Sequence, residues 1–285
     1  MSKIKSLPSH RTAVLAVLYP QCKKITKDFF DSIENQTCKD FDLILVNDNY
    51  PDIGSITSNS LSIKFIDSPS GGLPSNNRDV GIKHVKNSGY EFLIFCDIDD
   101  YFQNNRVQES IELLSAGNDI VCNDLSLVID NKVYEENYCS NRIKHGHIID
   151  LDFIREKNIL GFTNTAVRIS SIDNIPSLKS DLVANDWYFF TKLIVDGAKA
   201  IFTNKTKSYY RQHEKNCLGI KKIDRESYDK ILGIKLDHYK YFEHLNSEYT
   251  VFKKIKKIGN MDEHIGFIEN NVIYNPFWLE EMRPS

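Results

Sequence analysis

Three aspartates lie within four positions, at Asp97, Asp99 and Asp100, directly after the apolar run 92–96, Phe-Leu-Ile-Phe-Cys. While the chain stays extended, side chains two apart project to the same side, which pairs Asp97 with Asp99. Carboxylates crowded beside an apolar sheet repel one another and lose hydration unless something compensates. A divalent cation is the natural compensation, because Mg2+ and Mn2+ prefer oxygen ligands and can bridge a carboxylate to a diphosphate. The plain alternative is a solvated acidic turn that caps the next helix. Two further residues could take part. Arg78 carries a fork-shaped donor suited to phosphate, or is an exposed helix arginine. Asp186 stands at the start of a predicted helix, where an N-cap is its ordinary role.

The elements around these residues alternate. Apolar runs at 13–18, 41–46, 61–66 and 91–96 read as strands, and helical patterns lie between them, at 25–33 with Ile25, Phe29, Phe30 and Ile33 on one face and at 75–85. Strands alternating with helices imply βαβ units, hence an α/β fold with a mostly parallel sheet flanked by helices. The continuous apolar run at 92–96 suits a central strand buried on both faces. Such sheets bind ligands beyond the carboxyl ends of their strands, where the acidic cluster falls. Asn104 or Asn105 is the expected cap of a helix over 106–114. Downstream, the pattern predicts a strand at 119–122 and a hairpin of 125–129 with 132–135 around Asp130-Asn131. It also predicts a strand at 163–169, a helix at 186–195 closed by Gly197, short strands at 200–203 and 208–211, and a helical region from about 224.

Composition excludes several classes. The 285 residues are 41% hydrophobic, enough for a core, and the net charge of −3 with mixed signs leaves no electrostatic footprint for nucleic acid. No apolar run approaches the roughly 20 residues that span a bilayer, and residues 1–11 do not read as a secretory signal. The six cysteines form no C-x-x-C pair, which argues against a zinc site and for a reducing, cytoplasmic setting.

The cluster Asp97-Ile98-Asp99-Asp100 resembles the D-x-D-D motif of family 2 glycosyltransferases of the A-type fold. Four other segments match that family in order. Residues 14–20 resemble its first strand, which runs into a nucleotide-contacting loop at Tyr19-Pro20, and residues 43–49 resemble its second, whose terminal acid is Asp48. Gly71-Gly72 with Asn77-Arg78-Asp79-Val80-Gly81 resembles its G…A-R-N-x-G segment, and Asn185-Asp186-Trp187 its E-D motif. Tyr210-Arg211-Gln212-His213-Glu214-Lys215-Asn216 resembles its R-x-H-x-x-N segment. Asn77, Asp79 and Asn185 depart from the pattern, standing where the family has Ala, Asn and Glu.

The resemblance implies a role for each residue. Tyr19, Pro20, Asp48, Arg78, Asp97 and Arg211 would contact the nucleotide-sugar donor, Asp48 at the base and Asp97 at the ribose or base. Arg211 would either pair with phosphate or brace the acidic site. Asp99, with His213 as a further candidate, would ligate Mn2+ or Mg2+, and Asp186 would be the general base. It implies transfer from a UDP-sugar to a glycan or lipid-linked glycan acceptor, by single displacement with inversion, in bacterial surface glycan synthesis. Other readings stay open: a nucleotide-sugar-binding partner subunit without catalysis, and a sugar nucleotidyltransferase. A dehydrogenase would need G-x-G-x-x-G after the first strand, where the chain has Tyr19-Pro20-Gln21-Cys22.

The resemblance divides the chain into a catalytic domain over 1–216 and a helical C-terminal extension over 217–285. Within the domain, the nucleotide-binding half runs to about 122 and the acceptor half from about 123. In the extension, Val251, Phe252, Ile255 and Ile258 share one helical side with lysines around the rest. That pattern suits either packing on the domain or peripheral contact with the inner face of an anionic membrane. Oligomeric state is left open.

Overall fold

The structure, a computed structural model, describes residues 8–68, 72–212 and 225–245, with side chains over 225–228 excepted. The first half runs β1 (Thr12–Leu18), α1 (Thr26–Glu34), β2 (Asp42–Asn47), β3 (Ser62–Asp67), α2 (Pro74–Ser88), β4 (Phe92–Phe95), β5 (Tyr101–Phe102) and α3 (Arg106–Ser115). The second half runs β6 (Ile120–Ile129), β7 (Lys132–Glu135), β8 (Ile148–Ile149), α4 (Leu151–Ile154), β9 (Thr165–Val167), α5 (Asn185–Val195), β10 (Ala200–Arg211) and α6 (Arg225–Lys240).

The sheet order is β3-β2-β1-β4-β9-β6-β10-β5, with β7 on β6 and β8 on β10. The strands β3, β2, β1 and β4 are parallel. Antiparallel β9 then joins β4 to β6, which pairs in parallel with β10. The expected α/β sheet is therefore present, parallel in its first half. Its central strands alternate between two cores. Ala13, Leu15, Leu93 and Phe95 face the core covered by α2, α5 and α6, while Val14, Ala16, Phe92 and Ile94 face that of α1 and α3. A strand buried on both sides needs apolar residues at every position, which is why these runs are continuous.

Several elements differ in extent from the sequence reading. The runs 119–122 and 125–129 join into one strand, β6, and 200–203 with 208–211 join into β10, which absorbs its polar middle through a register shift between Thr203 and Lys207. The 130–131 hairpin forms as read, with both turn residues at positive φ, 49° and 60°. The strand expected over 163–169 shrinks to Thr165–Val167. Neither Asn104 nor Asn105 caps α3. Asn105 stands at the cap position without a capping bond, and Gln36 instead accepts from the Val107 N–H at 3.0 Å while donating to the Gln103 carbonyl at 2.9 Å. A side chain 71 positions away has taken the cap's role.

Gly81 sets how closely α2 approaches the sheet. A Cβ there would lie 2.6 Å from Leu15 Cδ1 and 2.9 Å from Val46 Cγ2. That close approach carries Arg78, one helical turn earlier, to the carboxyl end of the parallel strands.

At the opposite end of the sheet a buried carboxylate ties three elements together. Asp42 accepts from His10 Nδ1 at 2.9 Å, Lys64 Nζ at 2.7 Å and the Tyr90 hydroxyl at 2.6 Å. Burial pushes its carboxyl up, but these bonds and one from Ser62 outweigh burial and hold it well below the usual carboxylate range. A depressed carboxyl contributes stability above its unfolded value, about 3.9, and loses it as pH falls through the folded value. Asp42→Ala is expected to lower unfolding free energy by about 3 kcal/mol, since it strands a partly buried ammonium and a phenol. Denaturant unfolding at neutral pH checks this, and a change below about 0.5 kcal/mol would make the network incidental.

Candidate active site

The acidic cluster sits at the carboxyl end of β4, but not as an extended segment. The chain turns, with the Asp100 N–H donating to the Asp97 carbonyl at 3.2 Å, and Ile98 is buried beneath the turn. The same-side pairing expected of Asp97 and Asp99 held only for extended chain, and burial of Ile98 takes the backbone out of that conformation. Each of the three acids then meets different surroundings.

Asp97 pairs with the Arg78 guanidinium, which also donates to the Cys96 carbonyl at 3.3 Å and lies 4.6 Å over the Phe162 ring. Arg78 is thus neither an exposed helix arginine nor aimed at open solvent. Asp100 is fully buried and accepts from the Arg211 backbone N–H at 2.7 Å. Burial, then the charges of Asp99 and Asp97, push its carboxyl well above the ordinary range. Arg211 donates to the Asp99 carbonyl at 2.8 Å and pairs with Asp28, with its guanidinium 5.2 Å over the Tyr101 ring. Of the two roles open to Arg211, this geometry matches the brace: it fastens the acidic turn to α1 and β10. Tyr19 adjoins the same turn, its phenol pushed up by burial and by the Asp99 charge, while Pro20 opens an exposed 3-10 turn beside it.

Asp48 lies across the sheet edge, nearly buried, and its Oδ1 accepts from the Gly72 N–H, two residues before α2, at 3.0 Å. The departures from the family pattern have local explanations. Asn77 is buried and bonded to Ser68, Asp79 accepts from the Leu178 N–H at 3.2 Å, and Asn185 holds the preceding loop through Lys179 N, Lys179 O and Leu182 O.

Asp186 is in the first turn of α5, but Ala184 occupies the cap position and the Asp186 carboxylate accepts only from the adjacent Trp187 N–H, at 2.8 Å, among bonds to the backbone. It is therefore not spent as an N-cap. It shares a pocket with Asp97, Asn158, Phe162 and Tyr210. Burial first, then the Asp97 charge, raise its pKa to about 6, against the Trp187 N–H, the Asn158 side chain and the Arg78 charge, which pull it down. A carboxylate of that strength can take a proton near neutrality. Trp187 is core: its indole N–H donates to the Ile154 carbonyl at 2.7 Å and its ring stacks on His238 of α6 at 3.6 Å between centroids.

The structure thus gathers Tyr19, Arg78, Asp97, Asp99, Arg211 and Asp186 around one end of the sheet, with Asp48 at its edge. His213 and the segment 250–258 lie outside the described residues, as does Gly71. Three residues went unsingled in the sequence: Asn158, Tyr210 and Arg106. The buried Arg106 donates to the Phe95 carbonyl at 2.6 Å and to Asn123 Oδ1 at 2.9 Å, locking the end of β4 just before the acidic turn. Nothing in the sequence separates it from a surface helix arginine. Among the described residues no helix is long and apolar enough to cross a membrane.

Comparison with solved structures places this fold among A-type glycosyltransferases. S. aureus TarS 1–349 in complex with UDP-GlcNAc is 15% identical with a TM-score of 0.61, over 90% of this chain and 78% of that one. The mannosyltransferase PcManGT from Pyrobaculum calidifontis, in complex with GDP-Man and Mn2+, is 12% identical with a TM-score of 0.55, over 85% and 68%. GalNAc-T7 with UDP, GalNAc and Mn2+ is 11% identical with a TM-score of 0.59, over 91% and 54%. A search of curated protein sequences gives no significant match. The profile described as Glycosyl transferase family 2 matches residues 17–172, more than half of the chain and including the acidic turn, so this protein belongs to the family 2 glycosyl transferases.

Proposed function

We propose that this glycosyltransferase moves a sugar from a nucleoside-diphosphate sugar, a UDP-sugar by preference, to a hydroxyl of a glycan or lipid-linked glycan, with a divalent cation and with inversion. The observation that carries the reading is Asp186: a carboxylate raised toward neutrality, not spent on its helix, sharing a pocket with the first acid of the turn. In this reading Asp186 accepts the proton of the attacking hydroxyl on the face opposite the departing diphosphate. Asp97 and Asp48 contact the nucleoside, and Arg78 shares its charge between Asp97 and the diphosphate. Tyr19 and Pro20 border the nucleotide, and Arg211 keeps the turn in place.

The acidic turn suits Mn2+ or Mg2+, which favour carboxylate oxygens. Among the described residues no three His, Cys, Asp or Glu side chains are grouped as a cage. In this reading the cation is shared with the substrate's phosphates and held by Asp99, with His213 as the further candidate ligand. When bound, such an ion neutralises charge on the leaving diphosphate. The similar structures with UDP-GlcNAc, UDP and GDP-Man, two of them with Mn2+, support a nucleotide-sugar donor and a metal. A site in the bacterial cytoplasm, in surface-glycan synthesis, completes the proposal.

The anomeric configuration of the product tests the displacement. No second carboxylate stands as a covalent nucleophile in the roles above, so NMR of the product is expected to show inversion, and retention would overturn single displacement.

A further inference from the structure

Strand β10 ends by delivering two neighbours to opposite sides of the acidic turn. The Arg211 side chain reaches the Asp99 carbonyl and Asp28, while Tyr210, one residue earlier, lines the pocket that holds Asp97 and Asp186. Alternation along a strand accounts for that division. Tyr210 is only partly buried, and among the described residues lining its pocket are two carboxylates and no lysine, arginine or histidine. Arg78, which pairs with Asp97 and donates to the Cys96 carbonyl while lying over the Phe162 ring, is not among the described lining residues.

A ligand group bringing another negative charge into this pocket meets repulsion from Asp97 and Asp186 with no opposing cation among the described residues of the wall. A group with hydroxyls meets acceptors in both carboxylates, and apolar faces at Leu125, Phe162 and Val183 suit the C–H side of a ring. What the carboxylates cannot supply is a neutral donor, and the phenol supplies it. Burial and the charges of Asp100, Asp97, Asp99 and Asp186 push Tyr210 well up, so its proton stays on. We infer that this pocket takes an uncharged, hydroxyl-bearing sugar ring, to the exclusion of uronates and phosphates, and that Tyr210 holds that ring by donating a hydrogen bond to it. The inference rests on the glycosyl-transfer reading and adds the charge class of the ring and the residue that selects it.

The ring belongs either to the donor or to the acceptor, and one set of measurements separates them. Calorimetric titration of wild-type protein with Mn2+ compares UDP alone, UDP-glucose with UDP-glucuronate, and UDP-galactose with UDP-galacturonate. If the ring is the donor's, each neutral sugar binds at least about tenfold tighter than its acid counterpart, and Tyr210→Phe loses about tenfold for the neutral sugars while UDP alone is unchanged. If it is the acceptor's, methyl glucoside accelerates UDP release more than methyl glucuronide does, and Tyr210→Phe abolishes the difference without changing UDP-sugar affinity. Equal treatment of neutral and acidic rings in both arms, or a Tyr210→Phe variant weakened for UDP itself, would overturn the inference. Wild-type protein that binds neither UDP nor GDP would instead bring down the glycosyl-transfer reading beneath it. Thermal unfolding of Tyr210→Phe within about 3 °C of wild type keeps a folding defect from standing in for a binding one.

Discussion

Asp186→Asn is expected to lower turnover by about 10²- to 10⁴-fold while nucleotide-sugar affinity stays within a few-fold of wild type. The substitution is nearly isosteric and keeps an acceptor for the Trp187 N–H, so the start of α5 is preserved. What it removes is the proton acceptor. The same residue sets a pH signature. With its pKa raised to about 6, chiefly by burial, Asp186 must be ionised to act, so wild-type kcat/KM is expected to fall as pH drops below about 6, and the residual activity of the variant to lack that limb. Stability should move the other way. A raised carboxyl binds its proton more tightly folded than unfolded, so the ionised form present above pH 6 works against the fold. Asp186→Asn, with no charge to bury, is therefore expected to raise Tm at pH 7.5, a stability–activity exchange common at active sites. Near-normal turnover with a lowered Tm would make Asp186 a structural residue of α5.

Asp99→Ala is expected to remove nearly all transfer, with loss on the order of 10³-fold or more, because the leaving diphosphate loses several kcal/mol of charge stabilisation. Wild-type protein treated with a chelator should show the same loss, restored by Mn2+, whereas the variant should gain little from added metal. Its fold should survive, because the Asp99 carbonyl, not its side chain, takes the Arg211 bond that fastens the turn. Full activity in both chelated wild type and Asp99→Ala would remove the metal from the mechanism.

The order of elements and the position of the acidic cluster beyond β4 were legible in the sequence because both depend on short-range pattern. The apolar runs at β1, β2 and β4 reveal doubly buried strands, and the acids after 92–96 fall where such sheets bind ligands. What sequence did not reveal depends on contacts between distant residues. The turn at Asp97–Asp100 follows from the burial of Ile98, and α3 is capped by Gln36, 71 positions away just beyond α1. Asn185 reads as a departure from a catalytic pattern until its bonds to Lys179 and Leu182 show it closing a loop. The surroundings of Arg106, and of Tyr210 within the segment that resembles R-x-H-x-x-N, stayed hidden for the same reason. A buried cation bonded to the end of β4 and a phenol lining a pocket with two carboxylates are defined by what surrounds them.

Release of nucleoside diphosphate from a panel of UDP- and GDP-sugars, with Mn2+ and with chelator, tests glycosyl transfer most directly, since slow hydrolysis of the donor requires no knowledge of the acceptor. The expected result is release from at least one nucleotide sugar by wild-type protein, only when metal is present, and its near-complete loss in Asp99→Ala. No release from any nucleotide sugar, together with no thermal stabilisation by any of them, would contradict glycosyl transfer as the function of this site.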